Sequence, residues 1–202
     1  MKKIFILIFL LSSATFLSAQ EIEEKNESHI IFNSKPKKVR GFAGPLYSTT
    51  YLNGNFAYMS GFNAAGIFND HFIFGVYNLS IENALYADNN NYVGNNMVFD
   101  QRGLWLGYIF MPKSIIHFNI NAQIGKADLD IYDDVLDIWY EDDIVFILNP
   151  SIEAEVNLAK FLKIGIGANY RIALGVDKFN NYSDNDFSDF GAFVSFKFGW
   201  FN

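Results

Sequence analysis

Glu153 and Glu155 stand two residues apart, a spacing that turns both carboxylates to one side of an extended chain. Lys163 and Arg171 share a side of the next stretch by the same rule, Lys197 lies on a later one, and His117, Asn119 and Asn121 form a further row. Gathered in one enclosed space, these acids, bases and amides have two uses. They can form a salt-bridge and hydrogen-bond network that fills the space, or they can line a path for a solute. Unpaired burial of any one charge costs several kcal/mol, so the groups must pair or stay hydrated.

Other chemistries lack their spacing. His29, His71 and His117 are far apart in sequence, and no pair has close ligand spacing, so no metal centre is expected. The stretch 126–143 holds Asp128, Asp130, Asp133, Asp134, Asp137, Glu141, Asp142 and Asp143. Hard cations favour such oxygens, but the spacing is not that of an EF-hand and no glycine supplies its sharp turn. Leu129, Ile131, Leu136, Ile138, Trp139 and Tyr140 interleave the acids, which fits a solvated outer loop, with strand extensions and an aromatic anchor as a variant. Gly165-Ile166-Gly167 has no helical pattern behind it and is strand sequence, not a phosphate cradle. No nucleophile, base and orienter can be assembled, so neither catalysis nor a cofactor is expected.

The elements that position these residues are strands. From Ile144 to Leu158, the residues Ile144, Phe146, Leu148, Ile152, Ala154, Val156 and Leu158 share one side against Asn149, Ser151, Glu153, Glu155 and Asn157. Leu162, Ile164, Ile166, Ala168, Tyr170 and Ile172 then oppose Lys163, Gly165, Gly167, Asn169 and Arg171. Pairing Leu158 with Leu162 brings Val156 to Ile164, Ala154 to Ile166 and Ile152 to Ala168, with Glu155 opposite Gly165 and Glu153 opposite Gly167. The glycines leave room for the carboxylates to reach across a narrow lumen. The same parity puts His117, Asn119, Asn121 and Gln123 inside, and Ile116, Phe118, Ile120, Ala122 and Ile124 outside. In the earlier strands Phe72, Phe74, Tyr77 and Leu79 fall on both sides, so their register is left open.

Eight strands are expected, over residues 41–52, 56–68, 72–81, 98–110, 115–125, 144–158, 162–173 and 190–201. Short connections at 69–71, 111–114 and 159–161 alternate with long polar ones at 83–97, 126–143 and 174–189. An even-stranded barrel with both termini on one side of a membrane has this order of turns and loops. The Asn-Gly turn at Asn53-Gly54-Asn55 is a short outer exception. Residues 1–20 read as a secretory signal, with Lys2 and Lys3, an apolar stretch from Ile4 to Leu11 and an exit at Ser18-Ala19. Residues 21–40 read as a flexible periplasmic leader, and 41–202 as the barrel.

An exported chain whose strands are apolar on one face and charged on the other puts the apolar face in lipid and the charges in its lumen. A soluble lipid-binding barrel would do the reverse. Composition agrees with the membrane reading, since 18% of the residues are aromatic, including 22 Phe and 11 Tyr. The absence of cysteine excludes disulfides and a lipoprotein anchor. A net charge of −7 argues against nucleic acid as a partner.

The last strand carries Phe196, Phe198 and Trp200 on one face, followed by Phe201. Here the chain resembles bacterial outer-membrane barrels, whose aromatic last strand is recognised by the insertion machinery. Asn149-Pro150 through Leu158, and Gly165 to Arg171, are also similar to small uncharacterised outer-membrane barrels of eight strands, with an OmpA/OmpX-like architecture. The resemblance implies an antiparallel up-and-down barrel in the outer membrane of a Gram-negative bacterium. Its implied partners are outer-membrane lipid and the insertion machinery. The expected role is structural or surface-interacting, with a ligand met by the acidic loop 126–143; the rivals are a narrow pore and a lipid-modifying enzyme.

Overall fold

The computed structural model describes residues 38–86, 95–133, 137–179 and 182–201. The expected signal, most of the leader and Asp134 and Leu136 of the acidic stretch lie outside the described residues. The strands are β1 (Val39–Leu52), β2 (Asn55–Phe68), β3 (Phe72–Ile81), β4 (Asn96–Phe110), β5 (Ile116–Asp133), β6 (Ile138–Ala159), β7 (Leu162–Tyr170), β8 (Ile172–Leu174) and β9 (Phe190–Trp200). Each strand pairs antiparallel with its neighbours, β5 pairs with β6, and β9 pairs with β1, which closes the ring. β7 and β8 run along the same side of β6 and share one place, so the described residues make a barrel of eight positions. Closure leaves no sheet edge around the wall, the condition for a sheet to cross hydrocarbon.

Turn chemistry sets the register. Asn53 and Gly54 both have positive φ, 48° and 72°, as a two-residue hairpin turn with the twist of its flanking strands requires. Leu52 therefore pairs with Asn55, and this register fixes the whole β1–β2 ladder. The β6–β7 hairpin pairs as expected at Val156–Ile164, Glu155–Gly165, Ala154–Ile166, Glu153–Gly167 and Ile152–Ala168. Only its tip differs. A register irregularity after Asn157 pairs Leu162 with Ala159 instead of Leu158. The open register of β3 is resolved with Ile73, Tyr77 and Leu79 inside and Phe72, Phe74 and Val76 outside.

The lower parts of β5, β6 and β7 turn their apolar side outward. Ile120, Ile152 and Ile166 are 54%, 65% and 64% exposed, while Glu153 and Lys197 across the wall are 2% and 1% exposed. A soluble barrel of this sequence would have the opposite arrangement. Among the described residues no helix is long and apolar enough to cross a membrane, which does not bear on strands.

Three expectations about the elements need correction. β5 runs on to Asp133 and β6 begins at Ile138, so most of the described part of 126–143 is paired strand, the strand-extension variant, and not a solvated loop. Alternation continues along this hairpin without a change of parity, but its sense inverts. Up to Ile124 the outward residues are apolar and the inward ones polar. Beyond that point Lys126, Asp128 and Asp130 face outward, whereas Ala127, Leu129 and Ile131 are buried inside. β4 inverts in the same way, with Leu104 and Leu106 outward at one end and Arg102 outward at the other, where Phe99 and Met97 turn in. The expected single strand over 162–173 is interrupted at Arg171. The polar connection 174–189 does not lie in solvent throughout, because Val176, Phe179, Tyr182 and Phe187 are buried in the barrel mouth.

Candidate functional site

The lumen is built in three layers. At the end that carries the tight turns, β6 contributes Glu153 and Glu155, β5 His117, Asn119 and Asn121, β7 Lys163, and β9 Ser195 and Lys197. Glu153 Oε2 accepts from Lys197 Nζ at 2.8 Å and from Asn119 and Asn121 Nδ2 at 3.0 and 3.4 Å, and its Oε1 accepts from Ser195 Oγ at 2.5 Å. Glu155 Oε1 lies 2.7 Å from His117 Nε2 and 2.9 Å from Lys163 Nζ; Oε2 accepts from Lys197 and, at 3.2 Å, from Asn119. Contact with a carboxylate oxygen places the imidazole proton on Nε2. Two carboxylates thus face two ammonium groups.

Small residues across the ladder make this possible. A Cβ on Gly165 would collide with the Glu153 carboxylate and the Ser195 hydroxyl, and one on Gly167 would collide with the Phe193 ring. Aromatic rings frame the cations: Lys197 Nζ is 5.2 Å from the Trp105 ring centre and 5.4 Å from that of Phe42, and Lys163 Nζ is 4.5 Å above Phe201. Phe201 therefore turns inward, 6.4 Å from Phe42, unlike Phe198 and Trp200, which are exposed on the outer wall beside half-buried Phe196.

Amides make the middle layer. Asn169 Nδ2 donates to Asn149 Oδ1 at 2.7 Å, and Asn149 Nδ2 donates to Gln123 Oε1 at 2.9 Å. A cavity of about 10 Å³ lies among these residues, Ser48, Ser151 and Phe193.

An apolar cap closes the end with the long loops. Phe99, Leu129, Ile131, Val145 and Ile147 line the wall, and the segment after β8 returns into the mouth over a short 3₁₀ turn, Asp184–Phe187. Phe187 stacks on Phe99 at 5.6 Å, with Tyr182 5.8 Å from Phe187. Two carboxylates hold the returning backbone. Asp143 Oδ2 accepts from the amides of Asp177 and Lys178 at 2.9 and 3.1 Å, and Asp184 Oδ1 accepts from Gly175 and Val176 at 2.8 and 2.9 Å. Gly175 makes the turn at φ 88°.

Of the residues singled out in the sequence, seven meet at the base and one does not. Arg171 is inward by parity, but lies eight residues from Lys163, about 26 Å along a strand. It belongs to the cap, where Nε donates to Phe187 O at 2.7 Å, an Nη donates to Tyr51 O at 2.8 Å, and the guanidinium sits 5.4 Å from the Phe99 ring centre. Sequence reasoning missed the pins Asp143 and Asp184. Counting back by twos from Glu153 reaches Asp143, so its inward direction was available, whereas nothing periodic marks Asp184.

Every carboxylate oxygen of the cluster accepts at least one hydrogen bond, and Glu153 and Glu155 are each 2% exposed. Among the described residues no group of three or more His, Cys, Asp or Glu could hold a metal ion.

No protein-family model matches the chain, and no curated protein matches it in sequence. Solved structures do match in shape. Neisserial surface protein A (NspA) superposes with a TM-score of 0.55 at 11% identity, over 81% of this chain and 97% of that one. Ail, the attachment invasion locus protein of Yersinia pestis, gives 0.52 alone and 0.51 in complex with the heparin analogue sucrose octasulfate, each at 11% identity over 80% of this chain and 97% of Ail. The ring of eight antiparallel positions, the outward apolar wall and these neighbours together give this chain the fold of the small eight-stranded β-barrels of bacterial outer membranes.

Proposed function

We propose that this protein is an integral outer-membrane barrel with a plugged lumen, which works as a structural and surface-interaction protein through its long-loop end. On this reading residues 1–20 are removed on export, the leader 21–40 stays in the periplasm, and Phe196, Phe198, Trp200 and Phe201 serve as the aromatic insertion signal. The observation that carries it is that, among the described residues, an ion cluster, amides and an apolar cap follow one another along the lumen, with a cavity of about 10 Å³ among the amides. A solute path needs far more space, and an enzyme needs a reactive group that a substrate can touch.

The chemistry of the exposed end also narrows the partner. Asp100, Asp128, Asp130 and Asp142 face outward there and Asp137 is exposed at the hairpin tip, against Arg102, Lys126 and Lys178, and Arg102 and Lys126 are both held by Asp128 at 2.5 and 3.1 Å. Carboxylates in excess favour a cationic surface over a polyanion, in contrast to the sulfated ligand bound by Ail. Planar-bilayer recording on the refolded protein tests the plug. The expected result is no steady conductance; a stable open channel in the wild type would overturn the reading.

A further inference from the structure

We propose that the amide layer at mid-barrel holds one trapped water molecule, bound as a hydrogen donor between the ion cluster below and the apolar cap above. The inference rests on what the amides have left to offer. Asn119 Nδ2 is spent on both carboxylates and Asn121 Nδ2 on Glu153. Asn149 Nδ2 is spent on Gln123, and Asn169 Nδ2 on Asn149. Each of these nitrogens has a partner, while Asn169 Oδ1, whose residue lines the mid-barrel cavity, is buried with no hydrogen-bond partner. Buried acceptors in a protein interior are normally satisfied by protein or by ordered water. The cavity thus presents the Asn169 Oδ1 acceptor, so a guest bound there donates to it.

Charge and size then choose among donors. Glu153 and Glu155 are already matched by Lys163 and Lys197, so a further cation would meet ammonium repulsion with no free anion to offset it. The cavity bounded by Ser48, Gln123, Asn149, Ser151 and Asn169 measures about 10 Å³, near the minimum that one water needs and too small for an organic solute. A neutral molecule with two protons and two lone pairs fits that space, and its oxygen can accept from Ser151. The apolar cap above bars continuation to the mouth. The water is accordingly a static part of the lumen and not one link of a conducting file.

The test uses the full refolded chain in lipid nanodiscs, with dipolar cross-peaks measured between water and the side-chain amides of Asn149, Asn169 and Gln123. Long-lived water predicts cross-peaks with the sign of slow tumbling at Asn149 and Asn169. The variant Asn169→Leu fills the cavity and removes one acceptor, and it should lose the Asn149 cross-peak while keeping the heat-modifiable gel migration of a folded barrel. Sodium, potassium and ammonium titrations should leave all three amide resonances unmoved. A saturable shift with any of those cations, or wild-type amides with no dipolar contact to water, would overturn the proposal.

Discussion

Lys197 is 1% exposed and serves two carboxylates at once, so its removal leaves Glu153 and Glu155 with one ammonium between them. Breaking a buried pair from one side costs about 3–5 kcal/mol, because the charge left behind has no compensation. Lys197→Met should therefore lower the unfolding free energy of the refolded barrel by about that amount in urea titrations in lipid vesicles. Adding Glu155→Gln should restore part of the loss, and a cycle that is strictly additive would deny the coupling. Gly165 gives a second, steric test. Its ladder position puts any side chain into the Glu153 carboxylate, so Gly165→Ala should destabilise the barrel by about 1–3 kcal/mol, whereas alanine at a strand glycine with open surroundings would stabilise it. The direction of these side chains was readable in the sequence, because whole charges alternating with isoleucines admit only one parity. Their height was not, which is why Arg171 was grouped with residues a strand-length away.

The β5–β6 hairpin and the returning segment belong together as an element. Beyond Ile124 the barrel wall has a polar outside and an apolar inside, the arrangement of a water-soluble fold, so the cap is a small core standing clear of the apolar band. Asp143 fixes two amides of the returning segment, and Asp143→Ala should cost about 1–3 kcal/mol and speed amide exchange at Asp177 and Lys178. On the outside of the same hairpin, burial and the neighbouring Asp128, Asp142 and Asp100 hold the Asp130 carboxyl above its ordinary range, with Lys178 opposing. A raised folded-state value means that the protonated form is favoured in the fold. The stabilising contribution is therefore present at acid pH and is lost as pH rises through the raised value. Asp130→Asn should slow exchange across the upper hairpin at neutral pH and leave it unchanged in acid. This element was the least legible in the sequence. A search for outward apolar residues ends at Ile124 although the strand does not, and Val176, Phe179, Tyr182 and Phe187 have no period that separates a folded cap from a solvated loop.

At the scale of the whole molecule, the count and order of the strands followed from alternation and turn chemistry, because a closed eight-position ring has few ways to satisfy both. The sense of alternation decides what surrounds it. Along β5 apolar residues cover the outer wall from the tight-turn end to the inversion near Ile124, and charged residues face outward beyond that line. Such a band loses its reason in water, where its exposure would drive aggregation. The chain has no cysteine, so single cysteines introduced along β5 report their surroundings without interference. The most direct measurement is the quenching of a fluorophore on each such cysteine in vesicles, once with brominated lipid and once with a water-soluble quencher. Lipid contact through the apolar wall predicts lipid quenching at Phe118→Cys, Ile120→Cys and Ile124→Cys, and aqueous quenching at Asp128→Cys and Asp130→Cys. Lipid quenching at Asp128→Cys, or aqueous quenching throughout at 118, 120 and 124 in the refolded barrel, would contradict it.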